Sequence, residues 1–254
     1  MSHVHMDEVA AVYDETIPRH VQAHYLRKRV AFIRRRLASG RVADVGCGTG
    51  VLDEALRKAS VDVVGLDESE GMLRHYHGRD EGLHGVCADS TRLPLASESV
   101  EAAVCIAVLH HVGSPEQVRR TIAEMLRIVK PGGWILLWDH NPLNPYWPLF
   151  MKRLPQDQEP TRLVPMRELR EALRELGARR IEARRLGLVP DFAPAGWLPA
   201  FQALEWLAER LPGIRNFCAH NVVLAVKAAP STRQHPLDDA LAARRHVGTS
   251  ARAS

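Results

Sequence analysis

Apolar residues follow two kinds of spacing along this chain, and the two kinds alternate. Residues 100–108 form a nearly continuous apolar run, which is typical of a strand buried on both faces of a sheet. Residues 115–129 instead repeat apolar side chains every three or four positions, which predicts an amphipathic helix. The same succession of strand and helix is present from residue 41 onwards. The pattern therefore favours an α/β protein.

The individual elements follow from this spacing and from local breakers. Strands are predicted at residues 41–45, 61–66, 83–88, 100–108, 134–138, 179–186 and 219–228, and helices at 52–59, 69–76, 115–129, 166–176 and 200–211. Ser69 is the predicted N-cap of its helix. Residues 130–133, Lys-Pro-Gly-Gly, are expected to end a helix and turn the chain before the next strand. Alternating strands and helices predict a mostly parallel sheet with helices on both faces, and such sheets bind ligands at the carboxyl ends of their strands.

Two segments rich in proline and aromatic residues interrupt this pattern. We expect residues 139–165 and 187–217 to form a substrate cap together with an N-terminal helical cap, 1–36. The main domain then spans residues 37–229, and 230–254 is expected to be a flexible tail. The aromatic residues of the cap are Tyr146, Trp147, Phe150, Phe192, Trp197 and Phe201. They suggest an apolar or aromatic small acceptor, such as a phenol, a quinol, or a lipid-linked or polyketide-like molecule, although core packing under a long loop explains them equally well.

Composition and charge exclude several classes. The 254 residues are 46% hydrophobic and 25% charged, which is a globular composition, and the formal net charge is +4. Arginine clusters at 34–36, 179–180 and 184–185 have no aromatic residues between them, so we interpret them as solvated faces and expect no nucleic-acid partner.

The cysteines and the lengths of the apolar runs indicate which cellular compartment to expect. Cys47, Cys87, Cys105 and Cys218 lack metal-ligand and redox-motif spacing, and we expect them to be buried, reduced thiols. Neither a signal peptide nor an apolar run of membrane-spanning length is present, so we expect a cytoplasmic protein without stable membrane insertion. The pattern leaves the oligomeric state open.

The strongest motif is DVGCGTG at residues 44–50, where a predicted strand turns on three glycines into a helix. Glycines permit positive φ angles and let a ligand approach the backbone, but such a turn alone is a weak signal. A dinucleotide-binding fingerprint has its third glycine where this chain has Val51, which disfavours an NAD-dependent oxidoreductase. Asp67 ends the second strand about 20 residues on, where an acid binds ribose hydroxyls, and Asp89 ends the third. Asp44, Asp67 and Asp89 thus lie at the ends of three successive predicted strands beside the glycine-rich turn, and the group is a stronger signal than any one acid.

Residues 41–139 resemble class I S-adenosylmethionine-dependent methyltransferases. The resemblance rests on DVGCGTG at 44–50, GLDES at 65–69, CADSTRLPL at 87–95, AAVCIAVLHHV at 102–112 and LRIVKPGGWILL at 126–137, taken in this order and spacing. It implies a seven-stranded Rossmann-like sheet whose last strand, here 219–228, runs antiparallel. It also implies S-adenosyl-L-methionine as the cofactor.

The resemblance assigns cofactor-binding roles by position. Asp44, Gly46 and Gly48 would contact the methionine part of the cofactor. Cys47 would pack within the same loop, and Gly50 would open the helix that follows. Asp67 would bind both ribose hydroxyls, and Asp89 would accept a hydrogen bond from the adenine amino group, with Ser90 beside it. Glu68 occupies a position at which the family often has an apolar residue against adenine, so Met72 or Leu93 is expected to take that contact. Residues 9–20 resemble the helix that closes over the cofactor, and Tyr13 would contact the methionine part or pack in the core.

The chemistry of a sulfonium methyl donor explains why neither a metal ion nor a covalent nucleophile is expected. Three histidines are candidate bases: His140 after the fifth strand, and His110 and His111 after the fourth. A structural or pocket-lining role is favoured for His110 and His111, and His140 has the alternative of bonding loop carbonyls. The sequence indicates methyl transfer to a small-molecule hydroxyl. N- or C-methylation and a non-catalytic S-adenosylmethionine-binding protein remain open.

Overall fold

A seven-stranded sheet forms the centre of the protein. The computed structural model describes residues 3–37, 39–158 and 161–229. The strands are β1 Arg41–Val45, β2 Asp62–Asp67, β3 His84–Cys87, β4 Val100–Ile106, β5 Val129–His140, β6 Arg179–Leu186 and β7 His220–Val226. Their order is β3-β2-β1-β4-β5-β7-β6, and β7 runs antiparallel to both of its neighbours. The predicted fold class, including the antiparallel last strand, is confirmed.

Helices cover both faces of the sheet. They are α1 His3–Val9, α2 Arg19–Arg34, α3 Val51–Lys58, α4 Glu70–Arg79, α5 Pro115–Ile128, α6 Tyr146–Phe150, α7 Met166–Glu175 and α8 Leu198–Ala208. One buried cluster joins the sheet to α2, α3 and α4, and a second joins its other face to α5 and α7. Ser69 caps α4 as predicted, because its Oγ accepts the N–H of Met72 at 3.0 Å.

The predicted break at residues 130–133 is wrong in one respect. These residues lie within β5, where Val129 pairs with Val100 and Trp134 pairs with Ala102, so they form an irregularity in the ladder. Gly132 has a φ of 79°, which glycine adopts without strain. Proline and glycine do disturb the backbone here, but the residues before and after them pair with β4, so the segment stays within the strand.

The N-terminal run and one cysteine also differ from expectation. Residues 9–20 are not one helix, because α1 ends at Val9, a 3₁₀ turn spans Tyr13–Glu15, and Pro18 precedes α2. Cys87 is exposed rather than buried, because β3 is the edge strand of the sheet. The other three cysteines are buried as expected.

The expectation for residues 230–254 lies outside the described residues, as do residues 1–2, 38 and 159–160. Within the part of the chain that is described, no helix combines the length and the apolar character that crossing a bilayer demands.

Candidate active site

A cavity of about 650 Å³ opens at the carboxyl ends of the parallel strands. Its walls come from the ends of β1, β2, β4 and β5, from α2, and from the loops that follow β3, β5 and β6. Parallel strands of an open sheet direct their carboxyl ends to one edge, so side chains far apart in sequence meet there. The strand-end acids and the candidate histidines therefore share one chamber.

The glycine turn forms one end of this cavity. Gly46 and Gly48 have φ angles of 82° and 55°, and the N–H of Gly46 donates to the Leu66 carbonyl at 2.7 Å. A Cβ on Gly46 would lie 2.2 Å from a methyl carbon of Val108, whereas a Cβ on Gly48 would meet nothing within 4 Å. The backbone is thus packed from behind at Gly46 and open at Gly48. Gly50 does not line the cavity; it is the residue before α3, as the resemblance implied.

Asp67 is held in place by two backbone donors. Its Oδ2 accepts the N–H of Gly48 at 2.8 Å and its Oδ1 accepts the N–H of Ser69 at 2.9 Å. Burial raises the pKa of Asp67, and these two donors oppose that effect because they favour the charged carboxylate. Each oxygen has capacity for a further donor, as binding a pair of hydroxyl groups requires.

Asp44 lines the cavity above a second buried acid, Asp53 of α3. Burial and the neighbouring Asp53 raise the pKa of Asp44 well above its ordinary value, and burial raises the pKa of Asp53 to about 6. The hydroxyl of Tyr76 donates to Asp53 at 2.8 Å. Asp44 Oδ1 has no hydrogen-bond partner among the described residues. An orphaned buried carboxyl oxygen beside a cavity is the feature that a bound donor, such as an ammonium group, would satisfy.

The N-terminal segment is fastened to both sides of the glycine turn. Asp14 accepts the hydroxyl of Thr49 at 2.6 Å, and Asp7 accepts the hydroxyl of Ser69 at 2.6 Å. Tyr13 lines the cavity between these anchors, and burial raises its pKa to about 12. The segment therefore covers the cofactor end of the cavity, although Tyr13 lies in a 3₁₀ turn and not in the expected helix.

Arg29 of α2 is a residue that the sequence reasoning missed. It lines the cavity, and its buried Nε has no hydrogen-bond partner among the described residues. Burial lowers its pKa, while nearby Tyr13, Tyr25 and Asp44 act in the opposite direction. Arginine keeps its charge in proteins, so this side chain is a cation with free donor capacity. Only its place on the cavity-facing side of α2 distinguishes it, and the sequence alone did not reveal which side that is.

The structure places only some of the residues expected near adenine at the cavity. Asp89 and Ser90 line the cavity at the end of β3, and Glu68 lines it next to Asp67. Met72 and Leu93, however, are buried away from it, with Met72 packed against the α1 side of the molecule. The expected adenine contact of Met72 or Leu93 is therefore corrected, because α1 and the core occupy the surfaces of these side chains.

His110 lies between two buried carboxylates. Its Nδ1 lies 2.6 Å from Asp139 Oδ1, and its Nε2 lies 3.3 Å from Asp157 Oδ1. Burial alone would lower the pKa of His110, but the two carboxylates outweigh burial and raise it to about 9. At neutral pH the ring is therefore an imidazolium, which disfavours His110 as a proton acceptor.

His140 has the opposite character. Its ring stacks on Trp147, with 3.7 Å between the ring centroids, and it lines the cavity. Burial, reinforced by the positive charge of His110, holds its pKa well below the ordinary value. His111 also lines the cavity, and its pKa is lowered for the same two reasons. Both rings are therefore neutral at pH 7 and can accept a proton.

These side chains also bear on metal binding. Two groups, His110 with His111 and Asp157, and His110 with Asp139 and His140, each place three ligand atoms within 4.8 Å of one another. The ion pairs of His110 already satisfy both carboxylates, so the arrangement is stable without an ion. The expectation that no metal is needed stays a prediction.

Aromatic residues of the predicted cap line another part of the cavity. Tyr146, Trp147 and Phe192 line it as expected, and the Tyr146 hydroxyl bonds to Asp191. Phe150, Trp197 and Phe201 do not reach it, and Phe217, which was not foreseen, does. The cavity thus has polar groups at the glycine turn and aromatic walls on the other side.

Comparison with known proteins agrees with this geometry. Residues 43–137 match a family model described as a methyltransferase domain, and this range contains the glycine turn, Asp67, Asp89 and β4. A solved S-adenosylmethionine-dependent methyltransferase from Archaeoglobus fulgidus is similar in fold, with a TM-score of 0.62 and 19% identity over 83% of this chain and 95% of that one. Residues 43–137 therefore form a methyltransferase domain, and the fold of the chain is that of the class I S-adenosylmethionine-dependent methyltransferases.

The relatives of this chain differ in the acceptors that their names give. A demethylmenaquinone methyltransferase of Renibacterium salmoninarum is 32% identical over 58% of this chain and 66% of its own length. A ubiquinone biosynthesis O-methyltransferase of Bordetella avium is 37% identical over 39% and 42%. A tRNA (carboxymethyluridine(34)-5-O)-methyltransferase of Arabidopsis thaliana is 34% identical over 51% and 31%. The matches thus span under two thirds of these relatives' lengths.

The buried neutral histidines of this protein predict a loss of stability in mild acid. Burial and the charge of Arg29 lower the pKa of His220 to about 3. The unfolded chain takes up a proton at an ordinary pKa of about 6.5, so His220 costs stability as the pH falls below that value, by about 2 kcal/mol at pH 5. Between pH 7.5 and pH 5 the free energy of unfolding should fall for both proteins, but by about 2 kcal/mol less for His220→Gln than for the unmodified protein. Urea unfolding at the two pH values measures this difference.

His75→Gln is the matched control, because His75 is exposed on α4. It should follow the pH dependence of the unmodified protein. Equal pH dependence for His220→Gln and the unmodified protein would show that His220 is not held neutral.

Proposed function

We propose that this methyltransferase transfers a methyl group from S-adenosylmethionine to a hydroxyl group of a small apolar or aromatic acceptor. The observation that carries the proposal is one continuous cavity with two chemically different ends. The glycine turn and Asp67 form the first end, and neutral His140 among Trp147 and Phe192 forms the second. Methyl transfer needs donor and acceptor aligned in one space that excludes water.

The residues at the first end fit the cofactor. Asp67 would hold the ribose hydroxyls, and Asp89 with Ser90 would face adenine. Gly48 leaves the backbone open for close approach, while the orphaned Oδ1 of Asp44 offers an acceptor for the methionine ammonium group. When bound, S-adenosylmethionine supplies an electrophilic methyl group on sulfur.

The second end would bind and orient the acceptor. The aromatic walls favour a planar or apolar acceptor. Two relatives are named for demethylmenaquinone and for ubiquinone biosynthesis, and quinones are acceptors of this kind. The tRNA relative shows that the family's acceptors vary widely. The enclosed, aromatic character of the chamber is the reason for preferring a small molecule over RNA.

His140 would accept the proton of the attacking hydroxyl. Its imidazole is neutral at pH 7 and belongs to the aromatic wall, whereas His110 is already protonated between its two carboxylates. His110 would then act as a fixed positive charge that orients Asp139 and Asp157. His111, also neutral, is the alternative acceptor of the proton.

The proposal is tested by incubating the protein with S-adenosylmethionine carrying a deuterated methyl group and a panel of acceptors. The panel contains demethylmenaquinol, catechols, aromatic amines and unmodified tRNA, and mass spectrometry follows the label. Label on an oxygen of a quinol or phenol supports the proposal. Label on nitrogen, carbon or tRNA replaces the proposed acceptor, and tight cofactor binding without transfer to any acceptor supports a binding protein instead.

Arg29 gives a second test of the cofactor site. We expect its guanidinium to bind the carboxylate of the methionine part, so Arg29→Met should weaken binding of S-adenosylhomocysteine by about 10–100-fold, as expected for a hydrogen-bonded charge pair. Binding of 5′-methylthioadenosine, which has no carboxylate, should change little. Calorimetry with both ligands measures the difference.

Arg34→Met, at an exposed position of the same helix, is the control and should leave both affinities unchanged. Equal weakening of both ligands by Arg29→Met would mean that Arg29 supports the fold of the pocket and does not contact the carboxylate.

A further inference from the structure

Helix α8 turns acidic side chains inward, beside Leu198 and Phe201, which pack against a buried apolar cluster. Glu205 is buried, its Oε1 lies 2.9 Å from His24 Nε2, and its Oε2 accepts the N–H of Leu188 at 2.7 Å. Lys28 of α2 donates to both Glu205 and Glu209. The acids of this helix thus face the protein, where α2 neutralises them. A surface helix ordinarily turns its acidic residues to the solvent and keeps its large apolar residues inside.

Exposed apolar side chains lie on the outer side of α8 and on the residues that flank the helix. We call this surface the α8 face. It consists of Trp197, Leu204, Trp206, Leu207, Leu211 and Ile214, each of which is at least 37% exposed. Residues 204, 207 and 211 are spaced at three and four positions and therefore lie along one side of a helix, opposite Glu205. A concentration of exposed, large apolar side chains on one helix and its flanks points to an interaction site, because each of them would be more stable out of water.

Charged groups on the α8 face are basic. The Arg210 guanidinium lies 4.0 Å from the centre of the Trp206 ring, and Arg215 is exposed in the turn that follows. The acids of the helix, Glu205 and Glu209, are turned towards Lys28. Tryptophan and leucine with arginines at their border are the side chains that bind the headgroup region of an anionic bilayer.

We propose that the α8 face binds the surface of an anionic lipid membrane, with α8 lying in the headgroup region and not crossing the bilayer. A lipid surface is favoured over a second copy of the chain because the charges at the face are of one sign, so two copies would bring arginines together. Binding of this kind combines burial of apolar side chains with attraction of arginine to acidic headgroups.

The mouth of the cavity supports the same occupant. Phe217 ends the 3₁₀ turn Ile214–Phe217 that follows α8, and it lines the cavity while remaining 56% exposed; Phe192 lines it at 64% exposed. An apolar acceptor dissolved in the bilayer would enter from this side. This last point rests on the proposed function, whereas the lipid-binding surface itself does not.

The test is sedimentation of the full chain with vesicles, without cofactor or acceptor, so that its outcome is independent of methyl transfer. We expect binding to vesicles of equal phosphatidylcholine and phosphatidylglycerol, weaker binding at high salt, and little binding to phosphatidylcholine alone. The double variant Trp206→Gln/Leu207→Gln should lower the partition coefficient ~10-fold or more, because two apolar side chains no longer leave water. Arg210→Gln/Arg215→Gln should remove most of the preference for the acidic lipid.

Val86→Gln is the matched control, because Val86 is an exposed apolar residue on β3, at the other edge of the sheet. It should bind vesicles like the unmodified chain, and equal melting temperatures show that all variants fold. No vesicle binding by the unmodified chain, or undiminished binding by the Trp206/Leu207 variant, overturns the proposal. So does a dimer in light scattering that the same two substitutions dissociate, because a second copy then covers the face.

Discussion

Replacing His140 by alanine is expected to lower kcat by ~10²–10⁴-fold, the usual span of general-base catalysis, while S-adenosylmethionine binds with unchanged affinity. The reason is that His140 is a neutral imidazole that lines the cavity and stacks on Trp147, on the side proposed to hold the acceptor. Steady-state kinetics with the acceptor found in the labelling experiment, together with calorimetry of cofactor binding, measure the two effects separately.

The pH dependence provides a readout that a structural role would not produce. Burial holds the pKa of His140 well below 6.5, so the unmodified enzyme should lose activity only in acid, as the imidazole becomes protonated. That acidic limb should be absent from the residual activity of the alanine variant. The same low pKa makes His140 a weaker base, and this limits the rate gain it provides.

Two further variants separate proton transfer from packing. His140→Phe retains a ring that can stack on Trp147 but has no nitrogen, so it should be as inactive as the alanine variant. His75→Ala, at an exposed site on α4, should behave like the unmodified enzyme. Recovery of activity by phenylalanine would assign His140 a packing role, and loss of cofactor binding in the alanine variant would remove it from the base role. His111 is then the next candidate.

Replacing Asp67 by alanine is expected to weaken cofactor binding by ~1–3 kcal/mol, the cost of losing hydrogen bonds to a charged acceptor. Its carboxylate is oriented by the N–H groups of Gly48 and Ser69 and has acceptor capacity left for the ribose hydroxyls. Calorimetry with S-adenosylhomocysteine measures the loss. Asp62→Ala, at the exposed beginning of the same strand, is the control and should leave affinity unchanged.

A pair of ligands distinguishes ribose binding from support of the glycine turn. The unmodified protein should bind adenosine more tightly than 2′,3′-dideoxyadenosine, and the Asp67→Ala variant should not discriminate between them. If the variant weakens both ligands equally and still discriminates, Asp67 acts on the backbone of Gly48 and another residue binds the hydroxyls. Unchanged affinity in a folded variant would remove the assignment.

The sequence by itself determined the sheet and the cofactor end of the site. The approximate places of the seven strands followed from apolar spacing, and the start of α4 from its cap Ser69, because these signals report burial and backbone hydrogen bonding within a segment. The positions of Gly46, Gly48 and Asp67 followed from the rule that parallel strands direct their carboxyl ends to one edge. Such features depend on residues that are close in sequence, so they can be recognised from one amino-acid sequence.

Tertiary structure alone decided the charge states of the acceptor end and the orientation of the capping helices. The sequence offers His110 and His140 as candidate bases, with a structural role favoured for His110, but it does not give their charge states. The carboxylates of Asp139 and Asp157 raise the pKa of His110 and keep it protonated, while burial keeps His140 neutral. The partners of Glu205 on α2 likewise turn the apolar side of α8 outward. Such pairings join distant segments, and desolvation depends on everything packed around a group, so no local pattern encodes them.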